Sequence, residues 1–158
     1  MAVDYYLKVD SIDGESADDK HKNEIQLLSY SWGGTQTTSV AGTGGSGAGK
    51  VNLSELAVTK YLDKATPKLF KSMVAGTHIA NATLTAIKAG TEGKPFLTVT
   101  LGELFVTSIH LSASTEVPVE SVSFSYNTIK IDYSTQDESG TLTTAGSVSY
   151  NLKANIVS

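Results

Sequence analysis

Apolar and polar residues alternate with a period of two through most of this chain, the spacing of side chains on a half-buried strand. Val3, Tyr5, Leu7 and Val9 alternate with Asp4, Tyr6, Lys8 and Asp10, so the chain opens on a strand, and a polar, charged loop follows from Gly14 to Asn23. Glu24 to Gln36 predicts a second strand, with Leu28, Tyr30 and Trp32 on one face and Leu27, Ser29 and Ser31 on the other. That reading puts both aromatics in the core and Ser31 on the wetter side. A third strand is predicted from Val51 to about Tyr61. Further on, Ala80, Ala82, Leu84 and Ala86 share a face opposite Asn81, Thr83 and Thr85. Leu97, Val99 and Leu101 alternate with threonines until the pattern changes register near Gly102, which predicts a bulge. Val122, Phe124 and Tyr126 give way past Asn127 to Ile129, Ile131 and Tyr133. Gln136 to Gly140 reads as a turn, and Val148, Tyr150, Leu152, Ala154 and Ile156 as the last strand.

The period lengthens in one place. Leu69, Phe70, Met73 and Val74 form a stripe at helical spacing. Thr66 suits the N-cap, Pro67 the first helical position and Gly76 the residue past the end. A lone helix over about residues 66–75 is marginal in water and needs its stripe docked on a larger body. The expected fold is therefore mainly β: an antiparallel β-barrel or sandwich with one short flanking α-helix. No fixed-period repeat and no linker divides the sequence, so residues 1–158 are expected to form a single domain.

Five of the fourteen glycines fall within Gly42-Thr43-Gly44-Gly45-Ser46-Gly47-Ala48-Gly49-Lys50. Gly42, Gly44 and Gly47 match the dinucleotide fingerprint, and Gly44 to Lys50 nearly matches a phosphate-binding loop. Both motifs need a helix directly after the glycines to hold the phosphate. The second also needs a Ser or Thr hydroxyl after its lysine, to ligate Mg²⁺. Here Val51 follows the lysine, and Val51 to Glu55 alternate like a strand. The segment, residues 41–50, is read instead as an extended glycine-rich loop projecting from the β body.

Composition narrows the chemistry. There is no cysteine, so disulfides, thiol nucleophiles and Cys-based zinc sites are excluded. All twelve basic residues are lysines and the net charge is −4, which argues against nucleic acid as a partner. The N-terminus has neither a basic nor an apolar signal region, and no apolar run is long enough to span a bilayer. Synthesis in the cytoplasm, no direct membrane insertion and export by a route that reads the folded protein are the expectations. Charged residues make up 18%, below the typical ~25%, which suits a surface partly covered by other subunits. His21, His78 and His110 are far apart in sequence and are expected at the surface or at caps. Asp18-Asp19 beside Lys20-His21-Lys22 reads as a solvated loop. No catalytic, metal or cofactor site is expected. The rival reading is a carbohydrate- or protein-binding β-sandwich using Tyr30 and Trp32 as a platform. A third is a hydrolase whose histidine site converges only on folding.

Several segments, taken in order, resemble one family: Met1 to Val9, Gly14-Glu15-Ser16 with Asp18 to His21, Ser31-Trp32-Gly33, the glycine loop into Lys50-Val51, Thr59 to Pro67, Gly76-Thr77-His78 and Lys88-Ala89-Gly90. The chain resembles Hcp, the hemolysin-coregulated protein that forms the tube of type VI secretion. The likeness spans nearly the whole chain and is densest over residues 1–90. Thr77 stands where lysine is usual in the family, and arginine is absent. The resemblance implies hexameric rings that stack into a hollow tube, a contractile sheath and spike as partners, and effectors carried in the lumen. It assigns ring stacking to the loop of Gly42, Thr43, Gly44, Gly45, Ser46, Gly47 and Gly49. It assigns a lumen-facing position to Ser29 and Ser31. It also implies passage from the bacterial cytoplasm without a Sec signal, and no fused effector domain past Ser158.

Overall fold

The structure, a computed structural model, describes residues 2–39, 47–88 and 92–158. Among these are twelve strands and one helix. The strands are β1 (Val3–Val9), β2 (Ile25–Leu27), β3 (Ser29–Ser31), β4 (Gly34–Ser39), β5 (Gly47–Leu53) and β6 (Leu56–Tyr61), then β7 (Ile79–Lys88), β8 (Pro95–Ser112), β9 (Val119–Ser125), β10 (Thr128–Gln136), β11 (Leu142–Asn151) and β12 (Ile156–Val157). The helix α1 (Ala65–Ala75) lies between β6 and β7. Every strand pairing is antiparallel.

Two sheets share one long strand. The first runs β12-β11-β10-β8-β7-β1-β2, and the second runs β3-β6-β9-β8. β4 and β5 form a separate two-stranded hairpin. Along one side of β8, β10 covers residues 97–102 and β9 covers residues 105–112, so β8 passes from one sheet into the other between these stretches. The side chains that point inward change parity at the crossing, from Val99 and Leu101 to Leu104 and Val106. Glu103 absorbs the change with φ of 54°. Gly102 is required beside it, because a Cβ there would come within 2.3 Å of the Thr128 hydroxyl. Asn127 ties the corner: its N–H donates to the Gly102 carbonyl at 3.0 Å, its carbonyl accepts from Leu152 at 2.8 Å, and its side-chain oxygen accepts from Lys153 at 2.9 Å. The register changes expected near Gly102 and Asn127 are thus two sides of one corner.

The two sheets enclose a single connected cluster that includes Leu7, Ile25, Leu56, Leu84, Leu101, Leu104 and Phe124. Burying each such side chain contributes about 1.5–3 kcal/mol. The mainly antiparallel β architecture with one short helix is as the alternation predicted.

Local details depart from that prediction wherever the chain changes sheet. The expected strand from Glu24 to Gln36 is three strands, because β2 pairs with β1 while β3 pairs with β6. At the crossing, Leu28 donates its N–H to Thr59 (2.7 Å) and the inward face flips. Leu27 is therefore in the core and Leu28 is 43% exposed, the reverse of the period-two expectation. The strand expected from Val51 to Tyr61 breaks at Ser54, whose hydroxyl accepts from the Gly33 N–H (2.7 Å). In β7, Ile79 is buried and Ala80 exposed, so Ala80 does not share the core face of Ala82, Leu84 and Ala86. The last strand stops at Asn151. Residues 152–155 turn, with Asn155 at φ 55°, and the chain returns as β12, leaving Ala154 and Ile156 exposed. The Asp137–Thr141 turn is as expected: the Asp137 carboxylate accepts from the Ser139 hydroxyl (2.6 Å) and from the N–H groups of Ser139 and Thr141.

The helix begins at Ala65, with Lys64 at the N-cap and no side-chain cap bond. Thr66 is not the cap because its hydroxyl is engaged elsewhere, donating to Glu120 Oε1 at 2.8 Å. Asp63 accepts the Ala65 N–H instead, at 2.9 Å. Pro67 consequently falls at the third helical position, where its missing N–H is still one of the helix's unpaired donors. Gly76 closes the helix at φ 62°, as predicted. Only half the expected stripe docks. Leu69 is buried and Met73 packs on the core, while Phe70 and Val74 are 53% and 69% exposed.

Candidate functional site: an uncharged face on the second sheet

Ser29 and Ser31 lie on β3, and both are exposed. Strand alternation sends Tyr30, between them, the other way, where it packs on the core edge-on to Tyr5. Cross-strand register places Ser29 opposite Thr59, Thr59 opposite Ser121, and Ser121 opposite His110. A parallel row runs Ser31, Ala57, Ser123, Ser108. The outward face of the second sheet thus carries two rows across all four strands, small side chains throughout except for His110 at the β8 end of the first. Neither row carries Asp, Glu or Lys. The structure extends the two predicted serines to Ala57, Thr59, Ser108, Ser121 and Ser123. The alternation Ser121-Val122-Ser123-Phe124-Ser125 is visible in the sequence. What the sequence does not display is that β9 and β3 both flank β6.

The inward side of the same strands is rigid and dry. Leu56, Val58, Val122 and Phe124 are fully buried. Lys60 and Glu120 are buried with them and form an ion pair, and Lys60 also reaches Asp63 at 2.8 Å. Through Thr66 this cluster fastens the first turn of α1 to β6 and β9. One oxygen of the pair, Glu120 Oε2, has no hydrogen-bond partner.

Of the stacking-loop residues, Gly42, Thr43, Gly44, Gly45 and Ser46 lie outside the described residues. Gly47 and Gly49 do not belong to a loop: both are in β5, where Gly47 pairs with Ser39 and Ala48 with Thr38. A strand follows the glycines, so the helix that a phosphate site requires is missing and neither nucleotide motif has its context. The β4–β5 hairpin and β10–β12 border an open groove of about 840 Å³, lined by Trp32, Val51, Leu53, Ile131, Val148 and Tyr150.

The histidines have separate surroundings. His21 is buried, not at the surface as expected. Its ring stacks on Tyr6 at 4.6 Å, and its Nδ1 lies 2.6 Å from Glu24. Burial, followed by the nearby Asp18, Asp4 and Glu24 charges, raises the Tyr6 phenol above its ordinary range. His78 meets the edge of Phe105, and His110 is exposed on β8. Among the described residues no three His, Asp or Glu side chains gather at metal-ligand spacing. Trp32 and Tyr30 are half-buried against the core, and burial raises the Tyr30 phenol. No helix among the described residues is long and apolar enough to cross a membrane.

Residues 6–133 match the family described as type VI secretion system effector, Hcp. The chain is 38% identical to Protein hcp1 of Pseudomonas aeruginosa over 161 aligned residues, covering 99% of each. A solved structure of a type six secretion system protein superposes with a TM-score of 0.93 at 30% identity, covering 99% of this chain and 100% of that one. Hcp1 from Salmonella typhimurium superposes with a TM-score of 0.82 at 39% identity, covering 100% of both chains. The fold and the relatives define a subunit of a bacterial secretion tube. The chain belongs to the Hcp family of type VI secretion.

Proposed function

We propose that this tube subunit closes into hexameric rings whose lumen is lined by the two small-residue rows around Ser29 and Ser31. The observation that carries the reading is the chemistry of that face. Uncharged, small and spread across four strands, it gives a sliding or loosely held effector no strong anchor. Effectors held there are shielded from solvent and proteases. The glycine-rich segment of residues 41–50 joins one ring to the next. Tubes made this way fill a contractile sheath beneath a spike. The subunit works by how its copies abut, with no catalysis, and leaves the bacterial cytoplasm through the secretion apparatus.

Native mass spectrometry and negative-stain microscopy test this together. Deleting residues 43–48 should leave rings intact and abolish their stacking; a deletion that unfolds the monomer contradicts the loop's role. Ser31→Trp should keep the ring mass while a co-expressed effector is lost from it. If the ring itself is lost, Ser31 lies at a subunit contact and not in the lumen.

A further inference from the structure

The two rows on the second sheet have one charged neighbour. One register step beyond the first row stand Tyr61, Val119 and Ser112, which pair across β6, β9 and β8 and carry no charge. Beyond the second row stands Glu55, directly before β6 and two residues from Ala57. Its side chain is exposed, and no ion pair among the described residues engages it.

One contact fixes where that carboxylate lies. The Thr107 hydroxyl donates to Glu55 Oε2 at 2.6 Å. Glu55 adjoins β6, Thr107 is on β8, and β9 runs between those two strands. The bridge therefore passes over β9. Val122 and Phe124 fill the inner side of β9, so the bridge crosses its outer side, on the face that carries the two rows. A bulge in β8 between Val106 and Ser108 makes the reach possible. It turns Thr107 outward together with Ser108, where strict alternation would allow only one of them. The other carboxylate oxygen, Oε1, has no hydrogen-bond partner among the described residues.

We propose that Glu55 forms a collar of carboxylates along one side of the channel wall, one from each subunit, and that this collar takes up Lys or Arg side chains of a protein carried inside. The inference rests on the ring reading above and names the chemistry of the partner. The two rows let a cargo slide, and the collar beside them holds it at one level. Like charges gathered around a closed ring repel one another, so the collar does nothing to hold the ring together. A cation placed among them removes that repulsion, and an enclosed wall of one charge sign focuses the field that draws it in. Thr107 keeps the carboxylate in place through Oε2, so Oε1 can accept from the cation with little further ordering. An acidic cargo surface meets repulsion instead, so the collar also discriminates by charge.

The probe is a labelled peptide of alternating lysine and serine, with a peptide of alternating glutamate and serine as its counterpart. Both are offered to intact rings, and binding is read by fluorescence anisotropy and native mass spectrometry. Wild-type rings should bind the lysine peptide and not the glutamate one. Glu55→Gln should keep the ring mass and weaken lysine-peptide binding about fivefold, a difference that fades as salt is raised. Thr107→Val should weaken it less, because the carboxylate remains but is no longer held. Asp19→Asn, which removes an exposed carboxylate from the loop after β1, should change nothing. Intact Glu55→Gln rings that bind as the wild type does, or an equal loss in Asp19→Asn, overturn the collar and leave the tube reading standing. Loss of the ring itself in Glu55→Gln places the residue at a subunit contact and also overturns the collar. A wild-type protein that remains as lone particles overturns both.

Discussion

The second sheet has two faces made by the same strands, and they obey opposite rules. On β6, Leu56, Val58 and Lys60 point inward and are fully buried, whereas Ala57 and Thr59 between them point outward. On β9, Glu120, Val122 and Phe124 point inward and Ser121 and Ser123 outward. The inner face holds the fully buried side chains Leu56, Val58, Val122 and Phe124 and the buried charge pair. Along its two rows the outer face holds Ser, Thr and Ala side chains and His110, with no carboxylate or lysine. Stability resides on the first face, and the second is left free for function. Strand alternation supplies this division residue by residue.

The sharpest way to break the contrast is to damage the inner face. Phe124→Ala removes the largest apolar side chain of β9 from the core and should cost about 3–5 kcal/mol in denaturant unfolding. Lys60→Met should cost a similar ~3–5 kcal/mol, because it leaves the Glu120 carboxylate buried without its cation. The double variant Lys60→Met/Glu120→Leu should recover most of that loss, since an apolar pair of similar volume avoids the desolvation of both charges. If Lys60→Met alone is harmless, the ion pair is not what fixes α1 to the sheet.

The outer face should respond far less. Ser121→Ala and Ser123→Ala should each change stability by no more than about 0.5 kcal/mol, as exposed substitutions without partners do. A loss comparable to that of the inner variants would mean the outer face is a packed interface inside the subunit.

The smallest expected effect lies away from both faces, at the β10–β11 turn. Hydrogen bonds from the Ser139 hydroxyl, then from the Thr141 N–H, hold the fully exposed Asp137 carboxyl below its ordinary value of 3.8. A depressed folded-state value stabilises the turn above the ordinary value and loses that contribution as pH falls through the folded one. The amide resonances of Gly140 and Thr141 should therefore shift in acid below pH 3.8, and Asp137→Asn should remove the transition.

Alternation made most of the strands legible in the sequence, along with the turn at Asp137 and the helix end at Gly76. It misplaced side chains where the chain passes between sheets, because such a crossing flips the inward face without changing the local pattern. Leu27 and Leu28 are the clearest case: period two buries one, and the step from β2 to β3 buries the other. Thr66 was a sound cap by propensity, yet a buried carboxylate 54 residues further on takes its hydroxyl. Phe70 and Val74 fit a helical stripe, but α1 is fastened by its first turn and by Leu69, which leaves them outward. Ser29 and Ser31 came from the family resemblance alone. Their neighbours Thr59 and Ser121 needed the strand order, which is a long-range property.

Cryo-electron microscopy of the purified protein at high concentration tests the central claim most directly. The account predicts closed six-fold rings in which the row Ser29, Thr59, Ser121 faces the channel and α1 lies away from it. Rings with that row on the outside, or lone particles without any ring, contradict it.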